Sequence, residues 1–232
     1  RGVSRFRGLK GRQGPPLRGL AILAAETATD RANRVVEDRT ESYAILDDGY
    51  VAHVGFVDQD SGETTVIPIG YGRDGNRIIL HGSTGSRAFM ALKSGLQVCA
   101  TVTLLDGLVS ARSPFNSSMN YRSVMIFGVP RALEGDEKIA ALKKVSDRLI
   151  PGLWDAGREI TTKEFAQTMA VELSLDDMTA KKRAAGALDV EDAHLPMWAG
   201  QIPIETKFGK PIPNEECRQM PLPEYISKMV QG

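Results

Sequence analysis

Between residues 50 and 129 the chain repeats one pattern: a short run rich in β-branched and aromatic residues, closed by a cluster of Gly, Asp, Asn or Ser. The runs are YVAHVGFV (50–57), TTVIPI (64–69), RIILH (77–81) and the stretches 97–105 and 121–129. Asp58, Gln59, Asp60, Ser61 and Gly62 join the first two as a hairpin, and Gly72, Arg73, Asp74, Gly75 and Asn76 turn the chain into the third. Strands at this spacing, with few helices between them, form an antiparallel sheet or barrel rather than a doubly wound parallel sheet. The fold class expected is mainly β with flanking helices.

Helical signals sit around this block. Residues 40–47 read as a short helix stopped at Asp48 and Gly49, and residues 86–93 as a second that ends at Gly95, where a left-handed cap is usual. Ile139, Leu142, Val145 and Leu149 recur at helical spacing over 134–150, with acids early and bases late to suit the helix dipole. A further helix over 162–167 leads into a strand over 169–175, and 198–204 reads as the last strand. The polar stretch 181–195 carries no periodic signal, and the Pro-rich remainder from Lys207 reads as a surface-wrapping tail. Three regions result: a basic arm and lead-in over 1–38, one folded domain over 39–205, and a tail over 206–232.

With 232 residues, 42% of them hydrophobic, the chain can bury a full core without disulfide or metal staples. Lys+Arg and Asp+Glu are both 29, so no global charge draws it to nucleic acid or to an anionic membrane. The local exception is residues 1–18, which hold Arg1, Arg5, Arg7, Lys10, Arg12 and Arg18 and no acid. That composition gives a solvated arm, or else an organelle transit peptide. No apolar run approaches a membrane span. Cys99 and Cys217 make no disulfide framework, which fits a reducing, cytoplasmic setting. His53, His81 and His194 show no metal-ligand spacing, so no metal site is expected.

The stretch IILHGSTGSR (78–87) is where chemistry enters. An apolar strand breaks into a turn of glycines and hydroxyls that carries an arginine into a helix. Hydroxyls, free backbone N–H groups and a guanidinium then converge where an anion is favoured, so Ser83, Thr84, Ser86 and Arg87 are candidates to hold a phosphate, with His81 beside them.

Five segments, VAHVGFV (51–57), VIPIGYGRDG (66–75), IILHGSTGSR (78–87), VTLLDGLVSARS (102–113) and MNYRSVMIFG (119–128), together resemble the pyridoxamine 5'-phosphate oxidase-like flavin-binding split barrels. Within them they are most similar to the branch of nitroimidazole-resistance and flavin-nucleotide-binding proteins. The resemblance implies a six-stranded Greek-key split barrel, a homodimer, and one FMN per subunit in a cleft at the subunit interface. It puts the phosphate on Ser83, Thr84, Ser86 and Arg87, and edges the isoalloxazine with backbone of Ile67, Pro68 and Ile69, with Tyr71 nearby. It brings Asn120, Tyr121, Arg122 and Ser123 to the flavin or the dimer face. Where many relatives of this branch carry a histidine pair this chain has Asn116 and Ser117, so no His-dependent chemistry is carried over. The oxidase's own substrate-binding motifs are not recognisable. The implied function is an FMN-dependent oxidoreductase acting on a small organic substrate, with NADH or NADPH as a donor. The alternatives are a non-catalytic flavin- or haem-binding module for storage or sensing, and a deazaflavin-dependent reductase.

Overall fold

A computed structural model of the chain describes residues 34–231 apart from Asp60; the basic arm expected over residues 1–18 lies outside the described residues. Its first elements are β1 (Val35–Val36), α1 (Arg39–Asp48), β2 (Val51–Val57), β3 (Thr64–Asp74) and β4 (Arg77–Ser83). There follow α2 (Arg87–Lys93), β5 (Val98–Ser110), β6 (Ser118–Gly128), β7 (Arg131–Leu133), α3 (Gly135–Leu149), α4 (Leu153–Ala156) and α5 (Thr162–Gln167). The chain ends through β8 (Thr168–Ser174), β9 (Met178–Arg183), β10 (Gly200–Pro203) and α6 (Glu224–Gln231).

The strands pair in the order β1-β9-β6-β5-β2-β3-β4-β8-β7, with β10 added to β5, and every pairing is antiparallel. Ten strands take part, where the resemblance implies six, and the order has two ends, so hydrogen bonds do not close the ring. The sheet nevertheless curls until the Leu173 side chain of β8 lies against the β6 backbone at Gly128, where an added Cβ would be 2.9 Å from the Leu173 Cδ1. The additional strands are short or polar. β1 has two residues and β7 three, and β9 reads MTAKKR, whose small Ala180 is its buried apolar anchor, so none carries a run that alternation would reveal.

Alternation along β2 sends Ala52, Val54 and Phe56 inward, where they meet Ile69 and Tyr71 of β3, Leu80 of β4, Ala100 and Val102 of β5, and Val171 and Leu173 of β8. Helix α1 closes one end of this core with Ile45 and Leu46, capped by Asp38, whose side chain accepts from the Thr40 N–H. Helix α3 covers the opposite face of β4 and β8, packing Ala141 and Val145 on Ile79, Leu133 and Ala170. Gly72 permits that approach, since a Cβ there would lie 3.0 Å from the Val145 Cα. The expected stripe on α3 is only partly used: Val145 is buried, Leu142 and Leu149 are half-buried, and Ile139 stays 40% exposed.

Gly95 adopts φ +83° after α2, the left-handed end its position suggested, and Gly75 at φ +59° turns β3 into β4. The Pro-rich tail is largely irregular but returns to the body twice. Phe208 meets the Tyr50 ring edge-on at 6.2 Å, and α6 sets Tyr225 against Gly152. Among the described residues no helix is long and apolar enough to cross a membrane.

Candidate functional site at the split between strands β3 and β4

Strands β3 and β4 pair only from Tyr71–Leu80 to Asp74–Arg77, although both continue beyond that stretch. The earlier half of β3 stays with β2 alone, and the last residues of β4 stay with β8 alone. Extending the register past Tyr71–Leu80 would set Ile69 opposite Gly82 and Pro68 opposite Ser83, and there the two edges have separated. The barrel is split at this point. Pro68 suits it, because a residue without an N–H is tolerated on an unpaired edge. The side chains of Ile67 and Ile69 pack on the core, so this edge offers a ligand only backbone atoms, as the resemblance implies for these two residues.

The far wall of the split is the turn into α2. Gly82 seats the helix, since a Cβ there would lie 2.3 Å from the ring of Phe89, itself 5% exposed. In the turn the Ser86 N–H donates to the Ser83 carbonyl at 3.0 Å and the Gly85 N–H to the Ser83 hydroxyl oxygen at 3.2 Å. The Ser83 hydroxyl therefore accepts one bond and keeps its own proton to donate. Ser86 occupies the N-cap of α2, yet its side chain makes no capping bond, and Met90 is the first residue of α2 to bond back, to the Ser86 carbonyl. Thr84 differs. Its N–H and its hydroxyl both donate to the Gln167 carbonyl, at 2.9 and 3.3 Å, so its proton is committed to the protein.

Arg87 is exposed, and its guanidinium has no ion-pair or hydrogen-bond partner among the described residues. Most arginines of this fold are used differently: Arg73, Arg77, Arg122, Arg131 and Arg158 each pair with carboxylates. A cleft of about 290 Å³ opens beside Arg87, lined by Met90, Ala91, Ser94 and Leu96 and, from the β2–β3 hairpin, Asp58 and Gln59. The sequence did not single out these neighbours, although Arg87, Met90 and Ser94 recur at helical spacing. Because α2 has only seven residues, its dipole contributes little, and an anion here would be held by discrete donors: two hydroxyls, the guanidinium and the first N–H groups of the helix.

Two expectations for side chains at the site are corrected, those for Tyr71 and His81. Tyr71 lies in the core with 0% exposure and donates its hydroxyl to the Leu46 carbonyl; burial pushes its phenol well above the usual range, so it stays protonated and away from the split. His81 pairs across to Ala170 and shares the face of Ile79, which α3 covers. Its Nδ1 is buried without a partner, and burial lowers its pKa from the ordinary histidine value, so it is a neutral ring beneath α3 rather than a phosphate ligand. Asn120, Tyr121, Arg122 and Ser123 lie on β6, which β5 and β2 separate from β3, on the order of 14 Å along the sheet. Within one chain they do not meet the turn.

Two members of that segment are also committed to other work. Asn120, 7% exposed, donates to Gln201 at 2.8 Å and accepts from Arg183 at 2.6 Å and from the Ala185 N–H at 3.1 Å. Arg122 grips Asp106 through Nε and Nη2 and reaches Asp48 through Nη1, and the Asp106 hydrogen bonds raise its pKa further above the ordinary arginine value. Tyr121 and Ser123 are half-buried between β5 and β9.

Replacing Gly82 by Ala tests how the turn is held. The added methyl must displace the Phe89 ring, a cost of about 1–3 kcal/mol in unfolding free energy, read as a lower denaturation midpoint. An unchanged midpoint would show that α2 is not seated on this glycine.

An open antiparallel barrel whose strands β3 and β4 part company halfway defines a split-barrel protein. The family model for pyridoxamine 5'-phosphate oxidase matches residues 38–182, and the chain belongs to that family. Among solved structures it is similar to the FAD and haem binding protein from Mycobacterium smegmatis, at 35% identity and TM-score 0.82 over 85% of this chain and 97% of that one. A flavocytochrome from Azotobacter vinelandii is 37% identical, with TM-score 0.80 over 87% of this chain and 94% of that one. A putative 5-nitroimidazole antibiotic resistance protein from Bacteroides thetaiotaomicron, 22% identical with TM-score 0.55 over 64% of this chain and 86% of that one, shares the fold. No curated protein matches the sequence.

Proposed function

We propose that the protein is a flavin-nucleotide-binding oxidoreductase that works as a homodimer on a small organic substrate. The observation that carries this reading is the unpaired Arg87 guanidinium beside the available hydroxyls of Ser83 and Ser86, on the open side of the β3–β4 split. These residues suit a 5'-phosphate in charge and in donor count. The unpaired edge at Ile67 and Ile69 offers backbone N–H and carbonyl groups to the rim of a flat ring, and Pro68 has no N–H to compete. Bound there, a flavin would supply the redox chemistry, and the protein would orient it, neutralise its phosphate and limit access of water.

FMN and FAD share that phosphate. We favour FAD, because a cleft opens beside Arg87 that FMN alone would not need and because the Mycobacterium relative is named as a FAD binder. The dimer contact we assign to the end of the sheet where Leu108, Met119 and Ile202 lie side by side on three adjacent strands, 46%, 51% and 49% exposed. A second copy would cover this apolar row, and removing it from water favours that association.

A second reading is that haem is held as well. Two relatives above 30% identity are named as a FAD and haem binding protein and a flavocytochrome. The feature of this chain that favours it is a free imidazole on an uncharged sheet face, taken up below.

The test is the absorption spectrum of the purified protein loaded with FAD or FMN, followed on addition of NADPH or NADH and then of air. Flavin bands that bleach and return are expected. A protein that holds flavin but is reduced by neither donor would be a carrier, and one that sediments as a monomer when loaded would remove the dimer.

A further inference from the structure

His53 stands on the face of β2 turned away from the core, since Ala52 and Val54 on either side of it are buried. Directly across lie Pro68 on β3 and Thr101 on β5. Two residues along β2 are Val51 and Gly55, paired with Gly70 and Val66. None of these neighbours is charged, and Val51, Pro68 and Val66 are exposed, so the surface around the ring is an apolar floor open to solvent. The floor is low. A Cβ added to Gly70 would find only the Tyr50 carbonyl, at 3.9 Å. The His53 imidazole has no hydrogen-bond, ion-pair or ring partner among the described residues.

We propose that His53 is the axial iron ligand of a haem that lies flat over β2, β3 and β5. The inference rests on the haem reading above and names the residue through which it would operate. Side chains in a sheet stand roughly perpendicular to it, so the iron-binding nitrogen of His53 points outward and a porphyrin normal to the iron–nitrogen bond runs parallel to the strands. Adjacent strands are about 4.8 Å apart, so such a ring covers the neighbours on β3 and β5, and glycine at 55 and 70 leaves it clearance. Neutral imidazole is a common haem ligand, and an apolar floor shields the iron.

The other candidate ligands do not compete. His81 is half-buried with its Nδ1 out of reach of solvent, on the face of β4 that α3 covers, and His194 sits in a polar loop with its Nδ1 on the Glu191 carbonyl at 3.0 Å. Cys99, paired with Gly55 on this same face, has its thiol pKa pushed up by burial, which keeps it from being the thiolate an iron would need.

The experiment is a haemin titration of the flavin-loaded protein, read by the Soret band, on the unmodified chain and on His53→Gln and His194→Gln. The unmodified chain and His194→Gln are expected to take up one haem per chain with the spectrum of an imidazole-ligated iron. His53→Gln should lose that spectrum and at least about tenfold in affinity, since even groups one shell outside a metal cost about 10–100-fold when removed. Flavin uptake should be the same in all three. If His53→Gln binds haem with unaltered spectrum and affinity, His53 is not the ligand and the haem reading survives. Failure of the unmodified chain to take up haem overturns both. Should glutamine disturb the strand, His53→Ala gives an independent reading: the Soret band of the ligated iron returns on adding imidazole, and no return overturns the assignment.

Discussion

Arg87→Ala lowers flavin-nucleotide affinity by about ten- to a hundredfold and leaves the unfolding midpoint where it was. The loss corresponds to one charge-assisted contact with a phosphate, roughly 1.5–3 kcal/mol. The unchanged stability follows from the same geometry. Arg87 is exposed and holds no carboxylate, so its removal orphans nothing, and exposed substitutions of this kind shift stability by about 0.5 kcal/mol or less. Arg87→Lys should recover only part of the affinity, because an ammonium keeps the charge but not the paired donors of a guanidinium. Isothermal titration with FMN and FAD, alongside urea denaturation, separates the two effects. A folded Arg87→Ala protein with full affinity would move the phosphate elsewhere.

Arg183→Met has its effect on the fold. Arg183 is 5% exposed, and its guanidinium donates to Asn120 Oδ1 at 2.6 Å and to the carbonyls of Ala185 and Gly186, each at 3.1 Å. No carboxylate among the described residues pairs with it, and burial lowers its pKa below the ordinary arginine value. It is a buried cation held by neutral oxygens, fastening β9 to β6 and to the loop that runs on to β10. Methionine fills the same space but donates nothing. Each buried acceptor left without a donor costs about 1–3 kcal/mol, and more than one is orphaned here, so the expected loss is about 3–5 kcal/mol. Asn120→Ala should be destabilising too, and the double variant should lose less than the sum, because the two share one hydrogen bond. Equilibrium denaturation of the four proteins gives the coupling, and strict additivity would show that the two side chains act separately.

Neither prediction was equally open to reading from sequence. The hairpins and α1 were, because β2 alternates cleanly between buried and exposed residues and Asp38 provides a cap that the pattern favours. β9 was not: MTAKKR carries two lysines and an arginine, and it is a strand because β6 and β1 bond to it on either side, a tertiary cause with no local trace. α6 hides in a Pro-rich stretch, though Pro223 followed by Glu224 is a start signal that was present.

The strand–turn–helix layout of the proposed phosphate site was legible because it is local: strand, hydroxyls and arginine are consecutive. Tyr71 could have been placed correctly, since it shares the face of Ile67 and Ile69 on the same strand and those residues belong in a core. His81 could not. Its surroundings depend on α3 crossing β4 and β8 from more than fifty residues away, which no pattern near His81 announces. Arg122 looked available because its partners, Asp106 and Asp48, lie 16 and 74 residues distant and meet it only in the folded sheet.

The central claim is that the turn from Ser83 to Arg87 holds a flavin phosphate. The measurement that tests it most directly is the affinity of the unmodified protein for riboflavin set against FMN, two ligands with the same ring and side chain that differ by the phosphate alone. The account predicts that FMN binds at least about tenfold more tightly, and that the difference shrinks in Arg87→Ala. Equal affinities would contradict it.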